Sequence, residues 1–192
     1  MIPTIPPTLA GRRVRLEPLS FAHEIDLAHV HSDLRITQWF HQPIHDMHAF
    51  IEEALSQQAA GASLPYATVD IASGKAIGST RFHDIDRKHR KTAIGWTWIA
   101  PEFQRTYVNT EAKFIMLSAA FDTWGCIRVE LRTDSLNQQS RAAIARLGAV
   151  EEGTLRNHMI TASGRIRHSV YFSITQEEWP GVKSNLESKL RA

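Results

Sequence analysis

Residues 94–121 read IGWTWIAPEFQRTYVNTEAKFIMLSAAF, and this stretch limits the fold most tightly. It opens as an apolar strand, Ile-Gly-Trp-Thr-Trp-Ile. The strand stops at Ala100-Pro101, because proline supplies no ladder N–H and holds its predecessor in extended backbone. A polar loop over residues 102–109 follows, and the spacing predicts a helix from Thr110. The first N–H groups of a helix lack intrahelical partners and lie at the positive end of its dipole. A strand, a loop and a helix start in this order therefore make a natural seat for an anion. Such loops commonly use glycine, and this one contains none.

The flanking pattern fixes the class. Residues 12–19 alternate as a strand, with Val14 and Leu16 on one face and Arg13, Arg15 and Glu17 on the other. Ser20 can cap a helix running to about His31, with Ile25, Leu27, Ala28 and Val30 as its apolar side. Asp46 can cap a second helix carrying Phe50, Ile51, Ala54 and Leu55, closed near Gly61. Residues 64–71, 76–86 and 92–99 form a three-strand meander joined by the turns ASGK and RKHRK. Trp96 and Trp98 share one face of the third, a spacing typical of core. Beyond the helix from Thr110, Gly125 marks a stop and residues 127–134 a strand. SLNQQSRAAIARLG gives a capped short helix ending at Gly148. Residues 149–160 and 166–175 form a hairpin around TASGR, and Thr175 with Glu178 has capping-box spacing before a closing helix with Pro180 in its first turn. The predicted architecture is α+β: a mixed, mostly antiparallel central sheet of about seven strands flanked by helices. Residues 1–192 read as a single domain.

Composition narrows the function. Lys plus Arg number 22 and Asp plus Glu 20, a formal charge of +2 that gives no case for nucleic-acid binding. No apolar run reaches the roughly 18 residues of a membrane span, and the N-terminal residues lack signal-peptide character. A single cysteine, Cys126, excludes an internal disulfide framework and makes a cytoplasmic location the expectation. His41, His45 and His48 cluster around Asp46, but Pro43 interrupts a common helix and no cysteine joins them. They read as surface or cleft imidazoles, and no metal is expected.

Three segments resemble the GCN5-related N-acetyltransferases (GNAT), most closely their RimJ/RimL-like branch of ribosomal-protein N-terminal acetyltransferases. IGWTWIAPEFQRTYVNTEAK is similar to that family's strand, Pro-x-x-Gln/Arg-x-x-Gly-x-Gly/Ala loop and helix. LRTDSLNQQSRAAIARLGAVEEGTLRNH resembles its Asn-x-x-Ser helix and following Glu-Gly, and GRIRHSVYFSI its last hairpin. The resemblance implies a sheet splayed at the fourth and fifth strands, with acetyl-CoA as cosubstrate. It implies that Gln104, Arg105, Thr106, Tyr107, Val108, Asn109 and Thr110 hold the pyrophosphate through main-chain amides. Trp98 and Ile99 would pair with the pantetheine arm, and one of their N–H groups would face the developing oxyanion. Asn137 would hold the same arm, and Ser140 would donate to the leaving thiolate; ordinary capping of the helix accounts for the same two residue types.

The sequence departs from the family pattern at three places. Tyr107 stands at the first loop glycine and Asn109 at the Gly/Ala position. The Tyr107 ring either turns away and leaves the amide in place or crowds the phosphates. Ala93 stands where many relatives carry a glutamate base. His83, Asp84 and Asp86 are substitutes by location, and a water chain is equally open. Trp39 and Phe40, within residues 38–48, fall in the expected acceptor cleft or in plain aromatic packing. The resulting reading is an N-acetyltransferase acting on a protein N-terminus or a small primary amine, with a homodimer allowed. The competing readings are a non-catalytic acyl-CoA-binding module and an interaction protein lacking a CoA site.

Overall fold

The computed structural model describes residues 1–31, 34–40 and 43–191. Among them, eight strands form one sheet in the order β1-β2-β3-β4-β5-β6-β8-β7. The strands are β1 (Leu9–Ala10), β2 (Val14–Pro18), β3 (Ser63–Asp70), β4 (Ala76–Asp86), β5 (Lys91–Ile99), β6 (Arg128–Asp134), β7 (Val150–Ile160) and β8 (Ile166–Thr175). The helices are α1 (Glu24–Val30), α2 (Met47–Ala59), α3 (Tyr107–Ser118), α4 (Gln138–Leu147) and α5 (Trp179–Arg191). Every neighbouring pair is antiparallel except β5 and β6, which run parallel. The mixed α+β sheet expected from the pattern is the one that forms, with the two-residue β1 added at its edge.

Side-chain alternation sorts the core into two layers. On one face, Leu27 of α1 and Phe50 and Ile51 of α2 pack on Ala67 and Val69 of β3 and Trp98 of β5. On the other, Val108, Ala112, Met116 and Leu117 of α3 meet Leu16, Tyr66 and Phe82. Leu64 and Tyr66 thus face α3 while Ala67 and Val69 face α2, as a period of two requires. All eight residues of β3 are buried, Ser63, Thr68 and Asp70 included, so the strand is covered on both faces. The α4 helix ends on Gly148 in left-handed backbone (φ +101°), the residue type such a stop needs.

Two sequence expectations are corrected. The helix predicted from Thr110 begins three residues earlier, at Tyr107. Thr106 is its cap: the side-chain oxygen accepts from the Val108 N–H at 3.3 Å and donates to the Phe103 carbonyl at 2.7 Å. Tyr107 and Asn109 are therefore first-turn residues and not loop residues. In α1, Ile25 is 84% exposed and Ala28 is exposed, leaving Leu27 and part of Val30 as the inward side. A 3₁₀ turn, Phe21–His23, precedes α1 and advances about three residues per turn, which shifts the phase. Asp26 faces the sheet instead and accepts the Ala76 N–H at 3.0 Å.

Candidate functional site

The sheet opens where its two parallel strands part. β5 and β6 pair only from Lys91/Arg128 to Ile94/Leu131, yet β5 continues to Ile99 and β6 to Asp134. The cause lies on the other side of β5. Arg81 of β4 stands opposite Gly95 and Ser79 opposite Trp98, so Thr80 faces two residues, Trp96 and Thr97. This is a β-bulge, and Trp96 takes φ +52° to make it. The bulge bends β5 away from β6. Gly95 beside it leaves room for the imidazole, because a Cβ there would lie 2.6 Å from His83 Nε2 and displace that ring.

Main-chain alternation sets what the gap offers. The Ala100 N–H bonds the Ile77 carbonyl on the β4 side at 2.8 Å. Ile99 therefore turns its N–H and C=O toward the gap, and Trp98 turns its own toward Ser79. The Trp98 side chain is buried in the core with Phe50 and His31. The Gln104 side-chain amide donates to the Ile99 carbonyl at 3.0 Å, and Gln139 Nε2 donates to Gln104 Oε1 at 3.2 Å. This bridge ties the end of β5, the loop before α3 and the start of α4 together at the mouth of the gap.

Two helix N-termini open there, since α3 follows β5 and α4 follows β6. Ligand sites form at the carboxyl ends of parallel strands for this reason. Around α3, Arg105 alone in the loop takes left-handed backbone, at φ +60°, and Tyr107 does not. The Tyr107 ring lies 3.7 Å beneath the Arg13 guanidinium, so of the two arrangements left open the ring is turned to Arg13. Arg146 of α4 donates to Thr110 Oγ1 at 2.8 Å, adding a second cation to that turn. Glu111 is buried and holds the backbone N–H groups of Arg12 and Arg13, locking α3 to the turn before β2. At α4, Asn137 is the cap and accepts the Ser140 N–H at 3.0 Å. The Ser140 hydroxyl is partly exposed and has no protein hydrogen bond among the described residues.

The carboxylates near the end of β4 are all committed. Asp84 pairs with Arg132 and His83, and its carboxyl is held well below the usual range, first by the His83 hydrogen bond. Asp86 is tied to the His89 backbone and ring at 2.8 and 2.9 Å, which also lowers it. Arg132 continues through Tyr171 (3.1 Å) to His158 (3.4 Å). Ala93 is buried between His83 and Glu130 in the sheet. Beyond this cluster, Arg167 donates to the Trp39 carbonyl at 3.2 Å and Phe40 meets Trp96 edge-on at 5.5 Å. The segment between α1 and α2 is thus brought over the bulge. His48 bonds Glu24 and stacks on Phe21, His41 lies outside the described residues, and no group of three metal-ligating side chains forms among the described residues.

Sequence reasoning missed two buried cations beside the bulge. Arg81 is fully buried between the rings of Phe50 (4.7 Å) and Trp96 (4.4 Å). Lys113 of α3 is 4% exposed and bonds Thr80 and Thr97. For Lys113 the signal was available: it lies beside Ala112 and Met116 on the stripe that the helical period turns inward.

A family model described as Acetyltransferase (GNAT) domain matches residues 13–150. YdaF of Bacillus subtilis (strain 168), described as a candidate ribosomal N-acetyltransferase, is 34% identical over 110 residues, 57% of this chain and 59% of that one. This chain thus spans less than two thirds of that relative's length. The crystal structure of a GCN5-related N-acetyltransferase from Brucella melitensis is 30% identical, with a TM-score of 0.88 over 95% of this chain and 84% of that one. RimJ of Mycobacterium smegmatis, solved in complex with CoA-disulfide, shares the fold at a TM-score of 0.85 and 22% identity, over 100% of this chain and 98% of that one. With a family match over most of its length and a sheet split between its two parallel strands, the chain belongs to the GCN5-related N-acetyltransferase (GNAT) family.

Proposed function

We propose that this protein transfers the acetyl group of acetyl-CoA to a primary amine, on a protein N-terminus or a small molecule, by direct attack of the amine on the thioester. The observation that carries this reading is the divergence of β5 from β6 beyond Ile94 and Leu131, with two helix N-termini at its open end. The first-turn amides of α3 at Tyr107 and Asn109 are suited to a pyrophosphate, joined by that of Val108 if it leaves its long bond to the Thr106 cap, with Arg105 and Thr106 before them and Thr110 closing the turn. The gap-facing main chain of Ile99 is suited to a pantetheine amide or to the thioester oxygen once the Gln104 side chain gives way. Asn137 retains its NH₂ group for the same arm. Ser140, hydroxyl unengaged at the α4 start, is the donor for the departing sulfur.

The name of the YdaF relative makes a ribosomal-protein N-terminus the first acceptor to try. The test is thiol release from acetyl-CoA with a panel of N-terminal peptides and small amines, and acceptor-dependent release is the expected result. Ala93 favours one second reading, an acyl-CoA-binding module without turnover. That reading requires CoA to bind while no amine in the panel releases thiol.

A further inference from the structure

We propose that Lys113 is the proton acceptor of the acyl transfer, working through the Thr97 hydroxyl at the bulge; this rests on the acetyl-transfer reading above. Lys113 Nζ bonds Thr97 Oγ1 at 2.8 Å and Thr80 Oγ1 at 3.0 Å, and those hydroxyls bond one another at 2.9 Å. Thr80 and Thr97 also approach the Gly95 carbonyl, each at 3.4 Å. The network therefore spans the bulge itself. Thr97 is partly exposed there, and by main-chain alternation its backbone faces the gap as that of Ile99 does.

The partners decide what the amine can do. A buried lysine kept as a fixed charge needs a carboxylate, and none lies within ion-pair distance of Nζ among the described residues. Hydroxyls both donate and accept, so they satisfy the neutral amine as well as the ammonium. Burial pushes the Lys113 amine down to about 7, with no charged neighbour contributing. The charged groups on the surrounding elements are engaged elsewhere. Glu111 of α3 pairs with Arg13, Arg81 of β4 lies on the opposite sheet face between Phe50 and Trp96, and Lys183 of α5 pairs with Asp122. The position usual for a carboxylate base is Ala93, Asp84 is paired with Arg132, and Asp86 is tied up by hydrogen bonds from His89.

The proton balance closes. As the acceptor nitrogen bonds to the thioester carbon, it becomes cationic. It passes a proton to Thr97 Oγ1 while the Thr97 proton moves to Nζ. The C–S bond breaks and the sulfur leaves as thiolate, protonated through Ser140 or water. Lys113 then returns its proton to solvent, leaving amide and free thiol. Because Lys113 acts through Thr97, it is a positioning residue for the proton, and its signature is a pH profile.

The experiment measures kcat/KM against pH for wild type, Lys113→Met and Thr97→Val, with CoA affinity measured in parallel. Wild type should rise through an apparent pKa near 7 and level off. Lys113→Met should fall about a hundredfold at neutral pH. Its rate should then climb only as pH nears the pKa of the acceptor amine, with CoA affinity unchanged. Thr97→Val should lose the same limb while Lys113 remains. A Lys113→Met profile that keeps the limb near 7, or a limb lost instead in His83→Asn, overturns the inference. Wild type that binds no CoA overturns the acetyl-transfer reading and the inference together.

Discussion

Arg81 and Lys113 are both buried basic side chains with no carboxylate in ion-pair contact among the described residues, on opposite faces of the same bulge, yet the protein accommodates them in different ways. Arg81 is held by ring faces. Among the described residues its one hydrogen bond, to Gln57 Oε1, is long at 3.4 Å, and its Nε and Nη2 have no hydrogen-bond partner. Lys113 is held by two short bonds to hydroxyls. The guanidinium is weakly hydrated and planar, so aromatic faces can replace part of its water. Burial lowers it only to about 10, against partial relief from Glu53, and it stays charged at neutral pH. The ammonium is a point charge that needs acceptors, and its proton can leave. The contrast separates a fixed charge that braces the α2 face from a titrating amine on the α3 face.

The largest expected effect breaks the Arg81 side. Arg81→Ala removes the guanidinium and opens a cavity between Phe50 and Trp96, and should cost about 3–5 kcal/mol in denaturant unfolding. Arg81→Met fills the space without a charge and should stay within about 1 kcal/mol of wild type. A severe loss in Arg81→Met would mean that the charge itself is required.

The next effect concerns Lys113 and has a defined sign. Its folded pKa is about 7 against 10.5 for the free side chain. Below pH 7 both states are protonated, and the native state carries the full cost of the buried charge. Between 7 and 10.5 the unfolded state binds more protons, so wild-type stability rises with pH. Lys113→Met should therefore be more stable than wild type by about 1–4 kcal/mol below pH 7. The difference should shrink as pH rises, read as the separation of unfolding midpoints from pH 6 to 10. A pH-independent difference would place Lys113 with Arg81.

Ser140→Ala sharpens the contrast from the sulfur end. Turnover should fall about tenfold or more, with little change in CoA affinity and no movement of the pH limb assigned to Lys113. Undiminished turnover would remove Ser140 from the chemistry. The smallest effect tests plain geometry at the mouth of the gap. Arg105→Gly should stabilise by up to about 1 kcal/mol, because it relieves left-handed backbone. Tyr107→Gly should lose about 1 kcal/mol or less, since a helical first-turn position gains nothing from glycine. The reverse order in a thermal melt would contradict the loop geometry.

Much of the fold was legible in the sequence. The strand bounds 76–86, the Asp46 cap and the Gly148 stop follow from local chemistry, and each forms as the pattern dictates. The helix expected from Thr110 starts at Tyr107 because Thr106 supplies its cap, and a lone threonine within a polar stretch carries no mark that separates it from a loop residue. Ile25 faces outward because a 3₁₀ turn changes the phase of α1 without any sequence mark. The splay was expected from resemblance alone: the bulge that causes it depends on Thr80 facing two residues across the sheet, a pairing no single strand reveals. Arg81 is illegible for the same reason, since a charged residue on a strand reads as solvent-facing until its neighbours across the sheet are known, whereas the helical period alone places Lys113 on the inward stripe of α3.

The central claim is that the gap between β5 and β6 receives the cosubstrate. Backbone hydrogen exchange with and without saturating CoA tests it most directly, resolved to the two segments concerned. Slowed exchange in residues 95–99 and in residues 106–110, at the α3 start, is the predicted result. CoA that binds while protection falls outside both segments would contradict it.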